Sequence, residues 1–186
     1  MSDRTSATGR DGRTTDTRQR VVATALRLFV TKGFSATSLK DIADELGITK
    51  AALYYHFPAK ADLARSIFQP FIDDVDDLLD RLDGRGESPR EILSAYIDVL
   101  LPHRAALAAM LRDPGAAADL DLTDVSGRWL ARLGALLETD DATPEARMRT
   151  TVAIGGATRA LMLPEVEDPS ARDAAVRAAV AALESR

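Results

Sequence analysis

Two helix-start signals, Ser38 and Thr49, stand close together, with Gly47 between them and Pro58 after them. Ser38 and Asp41 form an S-x-x-D variant of the capping box, which satisfies backbone N–H groups that the first turn of a helix leaves unpaired. Leu39, Ile42, Ala43 and Leu46 then recur at i, i+3, i+4 and i+7, one apolar stripe along a short helix. Gly47 can take the left-handed conformation that closes it. Thr49 caps a second segment, TKAALYYHF, and Pro58 halts that segment because the residue before a proline is pushed out of the helical region. Two short helices joined by a glycine-containing turn of about three residues match the helix-turn-helix unit.

The flanking sequence reads as helix throughout, and no run shows the period-two alternation of strands, so an all-α fold of about nine helices is expected. Residues 1–15, MSDRTSATGRDGRTT, hold almost nothing apolar and are expected to form a disordered tail. Its arginines, Arg4, Arg10 and Arg13, suit either a solvated tail or an arm entering a minor groove. A first helix is expected from about Thr17 to Lys32, with Val22, Leu26 and Phe29 as its stripe, Ala25 beside them and Gly33 as its stop. A long helix follows over 59–82, broken by Gly84-Arg85-Gly86. Ser88, Pro89 and Glu91 start the next one, which should end or kink near Pro102. Helix resumes from His103 to Arg112, a turn is expected at 113–115, and later helices near 124–138, 144–163 and 170–184. The expected domains are the tail, a DNA-binding head at 16–60, and a helical effector-binding and dimerisation body at 61–186.

The net charge of −5 argues at first against a nucleic-acid partner, but its distribution reverses that. Residues 1–60 hold 10 Lys/Arg against 6 Asp/Glu, a balance of +4, while residues 61–186 hold 14 against 23, a balance of −9. A basic head on an acidic body points to phosphate at one end only. The absence of cysteine excludes disulfides, thiolate zinc sites and cysteine nucleophiles, and fits a reducing compartment. No apolar run is read as approaching the roughly 20 residues of a membrane span, and the polar N-terminus offers no signal-peptide core. The expected location is the cytoplasm, with no membrane partner.

Leu39, Ile42, Leu46, Ile48 and Leu53 can pin the two short helices to the first helix. Thr49, Lys50, Ala51, Tyr54, Tyr55 and His56 are then left for the other faces of the second short helix. Donors and aromatics of this kind meet phosphates and base edges. Thr49 and Lys50 stand at its N-terminus, where backbone N–H groups favour anions. Ala51 is small enough for close approach to a groove, and Lys60 can hold a phosphate from the side.

The run GFSATSLKDIADELGITKAALYYHFPAKADL resembles the DNA-binding segment of the TetR family of regulators. The LYYHFPAK stretch after the DIA-x-x-LGI turn is close to that family's pattern, and the likeness covers about residues 17–65. It implies that Lys40, Lys50, Ala51 and Tyr54 face base edges. It implies phosphate contacts for Thr37, Ser38, Thr49, Tyr55, His56 and Lys60. It further implies a homodimer on a near-palindromic double-stranded operator, released when a small molecule enters the C-terminal domain. Within the motif, Tyr54 and Phe57 also suit a core role, and a lone histidine such as His56 is more commonly a surface or capping residue.

Catalytic signals are weak. His56 and His103 belong to different segments, and neither a zinc-protease spacing nor a glycine-rich phosphate loop occurs. Ser126-Gly127 lacks the context of a nucleophile elbow. Asp73, Asp76, Asp77 and Asp80 share one helical face, which suits a hard cation less well than a solvated surface. No catalytic residue, metal or cofactor is expected.

In the body, Tyr96, His103, Met110, Trp129, Met148 and Met162 could line a mostly apolar ligand pocket or simply build the core. Arg104 and Arg159 suit an acidic ligand or surface acids. Gly155, Gly156 and Ala157 in one helix, and Val176, Val180 and Leu183 in the last, are expected at a two-fold interface forming a four-helix bundle. Three readings compete: a ligand-released repressor, a TetR-type DNA-binding protein without a small-molecule ligand, and a helical enzyme or interaction module.

Overall fold

The computed structural model describes residues 8–113, 122–137 and 143–184. Nine α-helices and two 3-10 turns lie among the described residues, and no strand does. In chain order the helices are α1 (Thr8–Lys32), α2 (Leu39–Leu46), α3 (Lys50–His56), α4 (Lys60–Leu82), α5 (Pro89–Leu100), α6 (Arg104–Arg112), α7 (Leu122–Leu136), α8 (Pro144–Ala160) and α9 (Pro169–Glu184). The all-α architecture is as expected.

The N-terminal helix departs from expectation twice. It begins at Thr8 rather than near Thr17, so residues 8–15 of the expected disordered tail are helical. Once a turn is nucleated, each further residue adds a hydrogen bond without repeating the nucleation cost, so a polar stretch can extend an apolar helix. Residues 1–7 lie outside the described residues, and the side chains of Arg4, Arg10 and Arg13 do too. The buried stripe of α1 is Val21, Ala25, Leu28 and Phe29, while Val22 and Leu26 are half-buried. Both stripes contain Ala25 and Phe29. Sequence spacing tolerates either, and packing chose the one rotated by a residue.

The described residues divide into two compact units. One holds the residues up to Phe68 together with Ala109–Asp113; the other holds Gln69–Ala108 and the residues from Leu122 on. The first unit thus runs past residue 60, the expected end of the head, to Phe68. Leu63, Ala64, Ile67 and Phe68, in the first turns of α4, are buried and belong with the first unit.

In the first unit, α1 ends at Gly33, whose φ of 93° lies in the left-handed region and whose N–H bonds to Phe29 O at 3.0 Å. Phe34 folds back edge-on against Phe29, with ring centroids 5.1 Å apart. The end of α6 also holds this turn. Arg112 donates to Val30 O at 2.8 Å, and the Asp113 carboxylate accepts from Ser35 N–H at 2.7 Å.

In the second unit the capping box at Ser88 and Glu91 forms in both directions, with Pro89 in the first helical turn. Pro102 sits in a 3-10 turn over Leu101–His103 that separates α5 from α6, as expected. Pro89–Arg112 is long and apolar enough, by length and composition, to cross a membrane. That corrects the expectation that no run comes close. Here Ile92, Leu93, Ile97, Leu100 and Leu107 from this stretch are buried core residues.

The polar groups of this unit find partners inside it. Tyr96 Oη meets Thr158 Oγ1 at 3.2 Å, Trp129 Nε1 donates to Asp76 at 2.7 Å, and His103 Nε2 meets Asp74 at 2.7 Å. Phe71 lies between the last two rings, 5.2 Å from Trp129 and 5.5 Å from His103. Arg132 bridges Asp80 and Asp83 at 2.8 and 2.7 Å. The acidic face of α4 is thus partly a hydrogen-bonding seam, and no cluster suited to a metal ion occurs among the described residues.

Candidate nucleic-acid interface

The two short helices form where the caps predicted them. Ser38 accepts from Asp41 N–H and its own N–H reaches the Asp41 carboxylate, completing the box. The Ser38 hydroxyl also donates to that carboxylate at 2.7 Å, and the two donations, the hydroxyl's first and the amide's second, hold the Asp41 carboxyl below its ordinary pKa. Gly47, at φ 64°, returns its N–H to the end of α2. Thr49 Oγ1 then accepts from Ala52 N–H at 3.1 Å and starts α3.

Two buried anchors fix the rotation of α3: Leu53 is fully buried and Phe57 is 2% exposed. Phe57 is therefore a core residue, and Tyr54 is exposed. Lys50, Ala51, Tyr54 and Tyr55 face outward, Tyr54 at 49% and Tyr55 at 79% exposure. The accepting role of Thr49 leaves its O–H free to donate outward. His56 is half-buried with its ring 5.3 Å from that of Tyr55. The outward face thus carries an ammonium, a methyl group, phenols and a hydroxyl on a helix of fixed register.

Lys40 is exposed on α2 and paired with Asp44 at 2.7 Å, which raises its pKa through that hydrogen bond first and charge second. Exposed pairs of this kind contribute little and are screened by salt, so the ammonium can exchange partners. Ser38 is exposed but spends its hydroxyl on the cap.

Two expected phosphate contacts are turned inward. Thr37 is 1% exposed and donates its hydroxyl to Gly33 O at 2.7 Å. The Lys60 ammonium donates to Phe34 O at 3.0 Å and Thr37 O at 3.1 Å, and stands 4.2 Å over the Phe34 ring. The α1–α2 turn leaves carbonyls without helical partners, and Lys60, at the start of α4, satisfies two of them. Arg18 was passed over in the sequence and stands 4.9 Å over the Phe57 ring, beside the end of α3. Nothing in its local spacing marks it, because the contact joins two helices.

The residues expected to line a pocket do not share one cavity. Tyr96 and Trp129 are buried and partnered, Met148 is 66% exposed, and Met110 belongs to the first unit. Met162 borders a cavity of about 310 Å³ with Arg104, Leu163, Val166 and Glu167, where Arg104 pairs with Glu167. His103 is half-buried against Asp74. Of the residues expected at a two-fold interface, Gly155 and Gly156 are exposed, and a Cβ added to either meets nothing within 4 Å. Ala157 and Val176 are 2% and 1% exposed, so they pack within the chain and not against a second copy. Val180 and Leu183 are half-buried. Of the stripe on the last helix, Val176 is therefore used within its own unit, while Val180 and Leu183 keep part of their surface exposed.

Residues 21–67 match the family described as bacterial regulatory proteins, tetR family. The chain is 36% identical over 86 residues to the HTH-type transcriptional regulator AcrR of Shigella flexneri, covering 46% of this chain and 39% of that protein. It is 33% identical over 89 residues to the HTH-type transcriptional repressor KstR2 of Rhodococcus jostii, covering 48% and 42%. The chain thus spans between 28% and 42% of the length of these curated relatives and of YerO of Bacillus subtilis. Among solved structures, the ketosteroid transcriptional regulator KstR2 of Mycobacterium tuberculosis superposes with a TM-score of 0.72 at 17% identity, over 90% of this chain and 93% of that one. A transcriptional regulator from Saccharomonospora viridis in complex with choline superposes at 0.60 and 22% identity, over 92% and 97%. These likenesses extend the shared fold beyond the matched head to most of the chain.

Proposed function

We propose that this chain, whose residues 21–67 match the tetR family of bacterial regulatory proteins, is a cytoplasmic homodimeric repressor, released from a palindromic operator by a small-molecule effector. The observation that carries the reading is the outward face of α3, where Thr49, Lys50, Ala51, Tyr54 and Tyr55 are presented together by a helix capped at its start and anchored by Leu53 and Phe57. Such a face fits a major groove, with the ammonium and phenols reaching base edges and phosphates. Lys40 and His56 flank it.

The exposed faces of α8 and α9 support the homodimer. Met148, Val152, Gly155 and Gly156 are exposed on α8, and Ala174, Ala178 and Ala181 on α9. Two glycines in a helix interior cost about 1 kcal/mol each relative to alanine, and the chain's own packing does not require them. Close approach of a second copy would use the space they leave. A dimer then sets two copies of α3 about 34–36 Å apart to enter successive major grooves. The helix α4 contributes residues to both units, so it is the natural element for an effector to bias. Coupling of that kind is reciprocal, and operator DNA must weaken effector binding by the same factor.

Support for an effector comes from the structural relative that holds choline, a small molecule, in a protein of the same fold. A second reading, in which a partner protein or promoter position sets the outcome, draws on the internal partnering of Tyr96, His103 and Trp129. Loss of operator binding on adding small molecules separates the two. The first test is selection of bound duplexes from a random DNA pool at near-physiological salt. An inverted repeat with fixed half-site spacing is expected. Binding with no enriched motif that fades as salt rises overturns the reading.

A further inference from the structure

The buried stripe of α1, with Val21, Ala25 and Leu28, continues one step toward the N-terminus to Arg18, three residues before Val21. There it leaves the core. Arg18 is exposed, and its guanidinium carbon stands 4.9 Å over the centre of the Phe57 ring. Phe57 is the cap that ends α3, directly after Tyr55 and His56. Since α1 begins at Thr8, Arg18 projects from the body of a helix and not from a fraying end.

The ring holds the cation through the negative face of its π-system, which occupies none of the five guanidinium N–H donors. Those donors have no acceptor among the described residues, where the contact with Phe57 is the one interaction Arg18 makes. Other cations of the first unit are matched. Arg27 pairs with Glu45, Lys40 with Asp44 and Arg65 with Asp62. Lys60 is the informative comparison, since it too stands over an aromatic ring but donates to two backbone carbonyls. A side chain that only covered Phe57 would need an apolar stem and no charge.

We propose that Arg18 is a phosphate-binding residue at the side of the reading helix. Its planar fork takes two oxygens of one backbone phosphate, a geometry that guanidinium groups form with phosphate and ammonium groups do not. The seat on Phe57 restricts the side chain before binding, which lowers the ordering cost of the contact. Thr49 and Lys50 stand at the start of α3 and Arg18 beside its end, so the helix is held to the DNA backbone from both ends. The contact comes from α1, outside the two short helices, and reads no sequence. It rests on the reading that α3 meets DNA.

Fluorescence anisotropy of the full chain tests it, on the selected operator and on a scrambled duplex of the same length, across a series of salt concentrations. Arg18→Met keeps an apolar cover on Phe57 and removes the fork. It should weaken both duplexes by the same factor, about tenfold for a lost hydrogen bond to a charged group. It should also reduce the salt slope by about one for each bound chain, with melting close to wild type. Arg18→Gln repeats the test if the methionine variant does not melt cooperatively. Arg18→Lys should restore the slope and only part of the affinity, because it returns the charge without the fork. Arg20 is equally exposed and lies about 200° around the same helix, so Arg20→Met should leave the slope as it was. A wild-type slope in Arg18→Met, or an equal fall in Arg20→Met, overturns the assignment. A loss confined to the operator overturns it too, since it would make Arg18 a reader of bases. Those outcomes spare the repressor. Salt-dependent binding with no enriched motif, still weakened by Arg18→Met, upholds the phosphate contact while the repressor reading falls. A wild-type chain that binds neither duplex ends both.

Discussion

Lys60 meets Phe34 twice: its ammonium lies 3.0 Å from the Phe34 carbonyl oxygen and 4.2 Å from the centre of its ring. A third contact, to Thr37 O at 3.1 Å, ties the first turn of α4 to the chain that leads into α2. The residue expected to hold a phosphate thus holds the reading head together. Lys60→Met is expected to lower unfolding free energy by about 2 kcal/mol, within the range for charge-assisted hydrogen bonds, as read by urea denaturation. Unchanged stability with a salt slope of DNA binding reduced by about one would return Lys60 to the phosphate role.

Tyr54 and Lys50 offer the opposite case, exposed side chains with no structural duty. Lys50→Ala and Tyr54→Ala should each weaken operator binding by about 1–3 kcal/mol and leave the melting temperature close to wild type. Electrophoretic mobility shift and thermal melts on the same preparations check both halves. A fall in melting temperature matching the loss of binding would make these core residues.

The capping box predicts an acid sensitivity. Asp41 has a folded pKa below its ordinary value because Ser38 donates to it, so its contribution is complete above the unfolded carboxylate pKa of about 3.9. That contribution is lost as pH falls from there through the depressed folded pKa. Asp41→Asn should flatten the stability of the head in that window and leave the slope above pH 6 unchanged. Denaturation midpoints across the range report it.

Asp113 accepts from the Ser35 amide at 2.7 Å, across a long sequence separation. Asp113→Ala should raise hydrogen exchange at that amide by tenfold or more, since the donor loses a charged acceptor. Exchange at Gly33, which bonds to Phe29 O, should change far less.

The proposed two-fold interface is testable at Val152, which is 59% exposed on α8. Val152→Glu should shift sedimentation from dimer to monomer and remove operator binding with it, because two half-sites must be read together. A wild-type chain that sediments as a monomer at every concentration would end the proposal outright.

The sequence by itself determined what depends on neighbours in the chain. The caps at Ser38, Thr49 and Ser88, the stops at Gly33 and Gly47, and the break at Pro102 all form as read. Each is a backbone preference or a bond between residues a few positions apart, and needs no tertiary partner. The outward face of α3 was legible too, since apolar spacing assigns one face of a short helix to the core. Tertiary structure alone decided the direction of Lys60, the clamp of Arg112 and Asp113 on the α1–α2 turn, and the burial of Ala157 and Val176. It also set Tyr96 against Thr158 and both His103 and Trp129 against acids of α4, and left the Thr150 hydroxyl without a partner among the described residues. A polar side chain satisfies whichever group the fold brings within about 3 Å, and an apolar stripe shows only that something covers it.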